Sequence, residues 1–182
     1  MEWEDIKDKV YPWVKTIFTE GGAEGGKEIE VDLPMIKFLG DLGIFFVHDK
    51  GDSFEFVQRA ALPAGMTEEE LYEISCQNLA RDIDFELTPT NYGGYGILAG
   101  GDHEAGSLCL GFIWDYCAES IGEDLIVAVP AKDMVLMVGR SQTAELEEMK
   151  KLSSHILANG ERTLTGQLLL YEKEARKFSL YG

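Results

Sequence analysis

Three residues that can bind a metal or transfer a proton stand side by side after a pair of glycines. They are Asp102, His103 and Glu104. Neighbouring side chains point in different directions, and metal sites usually combine residues from separate elements. The other histidines, His48 and His155, show neither HxH nor HExxH spacing. The sequence therefore favours a solvated loop in which Asp102 caps the next element, with a metal site as the alternative.

A second pair of charged residues, Lys132 and Asp133, lies at the junction between two apolar runs. Asp133 follows Pro130 closely, and an aspartate in such a turn can accept hydrogen bonds from its own backbone. A charge pair with Lys132 and a contact with a ligand are the alternatives. Together with Asp102 and His103, these two residues are the candidate binding residues of the chain.

No motif selects a catalytic residue. Ser107, Ser153 and Ser154 lie outside any GxSxG elbow, the turn that exposes a nucleophilic serine. The segment from Gly94 to Ala99 matches the GxGxxA pattern of a dinucleotide-binding loop. That loop must follow a strand and open a helix, whereas here the chain runs into another turn. We therefore predict a hairpin or loop there, and no catalytic residue, metal or cofactor.

The acidic balance of the chain limits its partners. The 16 basic and 33 acidic side chains give a formal net charge of −17, which repels phosphate backbones and anionic lipids. Nucleic acid and membrane are therefore not expected as partners, and no apolar run approaches the roughly 18 residues of a membrane span. The same charge would steer a basic protein or a cationic ligand to the surface, although solubility alone would also explain it. We expect a protein partner and leave the oligomeric state open.

The cysteines and the start of the chain indicate a reduced, cytoplasmic protein. The 3 cysteines are odd in number and show no CxxC spacing. The first residues, MEWEDIKDKV, lack the basic and apolar regions of a signal peptide. Cys109 and Cys117 lie among apolar neighbours, so we expect small buried hydrophobic side chains rather than nucleophiles.

The elements that must position these residues alternate irregularly between helix and strand. Thr67 and Glu70 form the pattern of a capping box, which predicts a helix start. Hairpins near both ends of the chain argue against a doubly wound parallel sheet, so we predict an α+β fold with an antiparallel or mixed sheet, about three covering helices and a terminal hairpin. The predicted helices are 67–81, 111–121 and 143–158, and the predicted strands are 29–33, 35–39, 43–47, 54–58, 125–129, 134–138, 167–171 and 177–181, with a turn at 130–133.

The N-terminal segment has a different texture from the rest of the chain. Apolar residues over 2–18, such as Trp3, Ile6 and Val10, recur at three- and four-residue spacings, which predicts an amphipathic helix with a kink at Pro12. The sequence GGAEGG that follows predicts a linker. The predicted domains are 1–26, a helical appendage with the glycine-rich linker, and 27–182, a single α+β domain.

The order of these elements resembles a known family. The segments DLGIFFVHD, GGDHEAGSLCLGFIWD, DLIVAVPAKDMVLMVG and LTGQLLLYE are similar to those of the YtpQ-like family of uncharacterised bacterial proteins. The resemblance covers roughly 33–181 and rests mainly on VPAKD, in which Lys132 stands where the family usually has arginine. A lysine cannot form the bidentate fork that arginine makes with a carboxylate. The resemblance implies a bacterial cytoplasmic protein of α+β type and brings no established activity.

Two functions follow as hypotheses. The first is a non-enzymatic protein-binding or adaptor module, which could act as an inhibitor of a basic partner. The alternative is a hydrolase-type enzyme that uses Asp102, His103 and Asp133, brought together at one end of the sheet. An enclosed polar site lined by these three residues would favour the enzyme, whereas a shallow groove with an apolar patch would favour the binding module.

Overall fold

The computed structural model describes residues 2–17 and 32–182. The chain divides into two compact units, Met1–Asp82 and Ile83–Gly182. The predicted boundary between residues 26 and 27, and the predicted linker at 21–26, lie outside the described residues. Each unit combines helices with an antiparallel sheet, which confirms the predicted α+β class.

The first unit is organised around one long strand, β3. Its elements are helix α1 (Trp3–Ile6), strands β1 (Val10–Thr16), β2 (Ile36–Lys37), β3 (Leu42–Asp49) and β4 (Phe54–Phe56), and helix α2 (Glu68–Asp82), with 3-10 turns at Lys7–Lys9 and Arg59–Ala61. Strand β1 pairs along the whole of one edge of β3, while β2 and β4 pair with the two ends of the other edge. All three pairings are antiparallel, and the β3–β4 hairpin confirms the strands predicted at 43–47 and 54–58.

The predicted helix over 2–18 is wrong for most of its length. Only Trp3–Ile6 is α-helical, and Val10–Thr16 forms strand β1. The β-branched and aromatic residues of β1 suit a pleated sheet, and a proline such as Pro12 disfavours a helix interior. Pairing with β3 therefore outweighs the helical spacing of the apolar residues.

Helix α2 packs against strand β1 of the first unit. The capping box is confirmed, because the backbone N–H of Glu70 donates to the Thr67 hydroxyl at 3.1 Å and the Thr67 N–H donates to the Glu70 carboxylate at 3.0 Å. The Asn78 amide donates to the carbonyls of Lys7 and Val10 at 2.7 and 3.0 Å and so ties α2 to β1. The buried apolar side chains include Val10, Val14, Leu42, Ile44, Phe46, Val57, Leu71 and Leu79.

The second unit contains a six-stranded sheet with helices on both faces. Its elements are strands β5 (Glu86–Pro89) and β6 (Tyr95–Leu98), a 3-10 helix (Glu104–Cys109), helix α3 (Gly111–Ile121), strands β7 (Leu125–Ala131) and β8 (Met134–Gly139), helix α4 (Thr143–Asn159), and strands β9 (Leu168–Glu172) and β10 (Lys177–Tyr181). The strand order is β10-β9-β7-β8-β6-β5, and every neighbouring pair is antiparallel. Helices α2, α3 and α4 and the terminal hairpin β9–β10 match the predicted ones within two residues.

The side chains of alternate residues of β7 lie on opposite faces of this sheet. Ile126 and Ala128 pack with Leu146 and Met149 of α4. On the other face lies Trp114 of α3, which is fully buried. Its ring centre is 6.2 Å from that of Tyr171 and 5.1 Å from that of Phe178, and its indole N–H donates to the Ser107 carbonyl at 2.8 Å. Val127, Val129, Val135 and Leu136 of the central strands are also buried.

No helix among residues 2–17 and 32–182 is both long enough and apolar enough to cross a membrane.

Candidate functional site

The structure brings Asp102 and Asp133 together through a third residue, Arg162. One guanidinium nitrogen of Arg162 lies 3.0 Å from the Asp102 carboxylate, and the other lies 3.6 Å from that of Asp133. The second nitrogen also donates to the Gly101 carbonyl at 2.7 Å. All three charged side chains are about half exposed, so each ion pair contributes little stability. The sequence suggested Lys132 as an alternative charge partner of Asp133, and the structure adds Arg162, which lies far away in the sequence.

Sequence reasoning missed Arg162 because nothing local marks it. It lies 60 residues after Asp102 and reaches the two aspartates only through the tertiary fold. Its backbone has a positive φ of 52°, which is uncommon for a residue other than glycine. The segment NGE before it is a turn signal, which indicates a bend without indicating what the side chain contacts.

Lys132, at the junction of β7 and β8, is buried. Its backbone N–H donates to the Arg162 carbonyl, and its carbonyl accepts from the N–H of Ala105, both at 3.0 Å. Lys132 therefore joins the segment around Arg162 to the 3-10 helix. Strand β7 runs on through Ala131 with a register shift after Ala128, so the turn is shorter than the predicted 130–133.

The prediction of a solvated loop at 102–104 is wrong for two of its three residues. His103 and Glu104 are buried, with 6% and 1% of their surface exposed. No side chain caps the 3-10 helix, so the capping role predicted for Asp102 is not observed. Instead, one Glu104 oxygen accepts the backbone N–H groups of Ala99 and Gly101 at 3.0 and 2.9 Å. The turn before it is made by two glycines with φ of 82° and 98°, a conformation that glycine adopts without strain.

Two polar atoms remain inside this region. Residues three apart share a face of a 3-10 helix, which places Glu104 and Ser107 on one side. Among the described residues, Glu104 Oε1 and Ser107 Oγ are buried with no hydrogen-bond partner. Because both side chains are enclosed, a substrate in solution does not reach them in this conformation. No group of three or more His, Cys, Asp or Glu side chains in residues 2–17 and 32–182 could hold a metal ion.

Asp102, His103, Lys132 and Asp133 line neither of two clefts on the described parts of the chain. The larger has a volume of about 720 Å³ and is lined by Pro89, Thr90, Asn91, Tyr92, Met134, Leu136, Glu148, Lys151 and Leu152. The smaller, of about 230 Å³, is lined by Glu55, Phe56, Gln58, Ala60 and Ala61.

Helix α3 carries the two most exposed large apolar side chains among the described residues. Phe112 and Tyr116 are 60% and 64% exposed and lie one turn apart. Asp115 and Glu119 stand beside them on the same side of the helix, so we call these four residues the α3 outer face. The helix buries Ile113, Trp114, Cys117 and Ala118 on its opposite side.

The two carboxylates of the α3 outer face differ in the contacts that they already make. Asp115 accepts a hydrogen bond from the Tyr171 hydroxyl, and burial together with this bond raises the pKa of Tyr171 above its ordinary value. Glu119 is largely exposed, with the Lys173 ammonium 3.8 Å away. Glu119 can therefore take a new cation at small cost.

Cys109 is only partly buried, contrary to the prediction, whereas Cys117, at the inner side of α3, behaves as the sequence predicts. It is fully buried, and burial raises the pKa of its thiol to about 11. The reactive form of cysteine is the thiolate, which is scarce at neutral pH when the pKa is this high. Cys117 is therefore a small hydrophobic side chain of the core rather than a nucleophile.

Comparison with known proteins supports a bacterial relationship. The chain is 20% identical over 174 residues to a UPF0354 protein of Bacillus cytotoxicus, an alignment that covers 93% of this chain and 62% of that protein. The chain thus spans less than two thirds of the length of this relative. No family model matches the chain, and no solved structure matches it. The similarity is to an uncharacterised bacterial protein, as the sequence predicted, and the YtpQ-like family name stays a prediction.

Proposed function

We propose that this chain is a non-enzymatic protein-binding module that takes a basic partner on the α3 outer face. The observation that carries the proposal is the pair of exposed rings, Phe112 and Tyr116, one turn apart on a helix whose other side is buried. Exposed apolar patches rimmed by polar residues mark interaction sites. Aromatic side chains are also the residues that most often dominate the energy of an interface.

The charge of the surface argues for a basic partner. Asp115 and Glu119 adjoin the two rings, and the whole chain carries a net charge of −17. An arginine of a partner can stack on an aromatic ring and pair with a neighbouring carboxylate at the same time. The long-range field would also speed the encounter with a positively charged protein.

The alternative function, a hydrolase built on Asp102, His103 and Asp133, has less support from the geometry. Arg162 engages both aspartates, and His103 is buried beneath the surface. None of the three residues lines either of the two clefts described above. The arrangement is that of an ion-paired surface over a packed interior.

The binding proposal can be tested with a defined probe. We would titrate the full chain with a 16-residue amphipathic helical peptide made of arginine and leucine, and with the same peptide carrying glutamate in place of arginine. Isothermal titration calorimetry at 50 and 200 mM salt should show binding of the arginine peptide, weaker at the higher salt, and none of the glutamate peptide. Equal binding of the two peptides would contradict a charge-selective surface.

Variants separate the rings from general charge attraction. The double variant Phe112→Ala, Tyr116→Ala should lower the affinity at least tenfold, since each buried hot-spot ring is worth about 2 kcal/mol or more. A matched control is Leu98→Ala, Leu180→Ala, which removes two other exposed apolar side chains and should leave the affinity unchanged. If both double variants bind as the parent does, the α3 outer face is not the site.

A further inference from the structure

The sheet of the first unit has a second aromatic surface. In the β1–β3 register Trp13 lies opposite Phe45, and in the β3–β4 register Phe54 and Phe56 lie opposite Asp49 and Val47. Opposed residues share a face, and alternate residues along a strand return to it. The side chains of Trp13, Phe45, Phe54 and Phe56 therefore lie on one face of the sheet, which we call the ring face.

The rings of this face contact each other and keep part of their surface in solvent. The centres of the Trp13 and Phe54 rings are 4.7 Å apart with an angle of 37° between planes. Those of Phe45 and Phe56 are 6.1 Å apart and nearly perpendicular. All four side chains are partly exposed, whereas Tyr11 and Val47 of the same face are buried. Partly exposed rings on a sheet offer stacking positions to a flat ligand.

Two lysines stand on the same face. Lys15 of β1 and Lys37 of β2 both lie opposite Gly43, on either side of β3. Their Cα atoms are therefore roughly 10 Å apart, twice the spacing of neighbouring strands. The Lys15 ammonium lies 5.0 Å from the centre of the Phe56 ring, so at least one of these cations is directly beside the rings.

These two lysines differ from the other cations of the unit. Five basic side chains form ion pairs with carboxylates, namely Lys7, Lys9, Lys50, Arg59 and Arg81. Lys15 and Lys37 have no carboxylate partner within the described part of the chain. Among the described residues of this acidic protein, these two cations without a carboxylate partner share a face with four rings, and the combination suits an anion.

We propose that the ring face binds a nucleoside phosphate, with the base stacked on the rings and the phosphates held by Lys15 and Lys37. The chemistry on this face asks for a ligand that combines a flat aromatic system with negative charge. Free nucleotide and single-stranded nucleic acid both have this chemistry. The net charge of −17 repels a long polyanion much more than a small one, which favours the free nucleotide.

The test uses ATP without added metal as the probe. The chain has 3 tryptophans, and Trp3 and Trp114 are buried whereas Trp13 is on the ring face. Two-dimensional NMR of the ¹⁵N-labelled chain resolves the three indole N–H signals, and Trp13→Phe identifies one of them. ATP should move the Trp13 signal in a saturable way and leave the other two in place. An unmoved Trp13 signal at millimolar ATP would overturn the proposal.

The two parts of the ligand can be tested separately. Adenosine lacks the phosphates, and inorganic triphosphate lacks the base, so each should bind at least tenfold more weakly than ATP. A twelve-nucleotide oligo(dT) tests the other source of the same chemistry. If the oligonucleotide binds more tightly than ATP at 150 mM salt, the assignment to a free nucleotide is wrong.

Matched variants identify the residues. Lys15→Gln, Lys37→Gln should lower the ATP affinity at least tenfold, and Phe56→Leu should lower it while keeping an apolar side chain. The control Lys7→Gln, Lys50→Gln removes two lysines of the same unit that are paired with Glu4 and Glu55 and should bind ATP as the parent does. An equal loss in both lysine pairs would show general charge attraction and overturn the site.

Discussion

The two units each contain a cluster of aromatic rings, and the clusters differ in how much of them is exposed. In the second unit, Trp114 packs against Tyr171 and Phe178 and has no exposed surface. In the first unit, Trp13 packs against Phe54, and both keep part of their surface in solvent. Burial of a ring contributes to stability, whereas a partly exposed ring remains available to a ligand. The comparison therefore separates residues that hold the fold from residues that can recognise something else.

The largest effect is expected from the buried cluster. Trp114→Ala should lower the free energy of unfolding of the second unit by about 3–5 kcal/mol, the usual cost of removing a large buried ring. The lost hydrogen bond to the Ser107 carbonyl adds to this cost. Hydrogen exchange of the β7 amides reports this unit specifically.

Trp13→Ala is the matched change in the exposed cluster. It should cost no more than about 2 kcal/mol by exchange of the β3 amides, because the Trp13 ring is only partly removed from water. If Trp13→Ala costs as much as Trp114→Ala, the ring face belongs to the core of its unit, and the contrast between the two clusters disappears.

Local signals made much of this fold predictable from sequence. The Thr67–Glu70 capping box sets the start of α2, and it is a contact between residues three apart. Helix α3 ends at Ile121, and the next residue, Gly122, has a φ of 90°, which glycine adopts without strain. The apolar runs of β7 and β8 are buried on both faces of the sheet, so their apolar residues are nearly continuous. In each case the deciding residues are close together in the sequence.

The predictions are wrong where the structure of a segment depends on residues far away in the sequence. Trp3, Ile6 and Val10 have helical spacing, yet Val10 belongs to a strand because β3, more than 30 residues later, supplies its backbone partner. The charged run at 102–104 suggested a solvated loop. In the structure, the Glu104 side chain turns inward and accepts the backbone N–H of Ala99. The sequence predicted Asp102 and Asp133 as candidate site residues but not their common partner Arg162. The exposure of Phe112 and Tyr116 could not be predicted, because it depends on which side of α3 packs against the sheet.

A smaller effect should appear at high pH in the buried cluster. Burial and the hydrogen bond to Asp115 raise the pKa of Tyr171 in the folded state. Because this pKa is higher than that of an unfolded tyrosine, about 10, the stabilising contribution of the hydroxyl is fully present below pH 10 and is lost as the pH rises further. Tyr171→Phe should lower the free energy of unfolding by about 1 kcal/mol at pH 7 and reduce its fall above pH 10.

A second tyrosine of the same unit sharpens this measurement. Burial raises the pKa of Tyr92 to about 12, and its hydroxyl lies 2.7 and 3.0 Å from the carbonyls of Tyr95 and Met137. Its contribution should be lost between about pH 10 and 12 by the same reasoning. Urea unfolding of the parent, Tyr171→Phe and Tyr92→Phe from pH 7 to 11 would distinguish the two. An unchanged alkaline slope in Tyr171→Phe would show that its hydroxyl does not contribute.

The smallest effect on stability is expected at the ion pairs around Arg162, because the three charged side chains are about half exposed. Asp133→Asn removes the charge of a half-exposed side chain 3.6 Å from the guanidinium, so the free energy of unfolding should fall by no more than about 1 kcal/mol. Asp102→Asn is the matched variant, since Asp102 is equally exposed and lies 3.0 Å from the same guanidinium. The double variant should show a small coupling between them, because Arg162 keeps its bond to the Gly101 carbonyl when either carboxylate is neutral. A loss above 2 kcal/mol for Asp133→Asn alone would mean that the charge of Asp133 stabilises the turn itself, and exposure would then be a poor guide to which residues hold this fold.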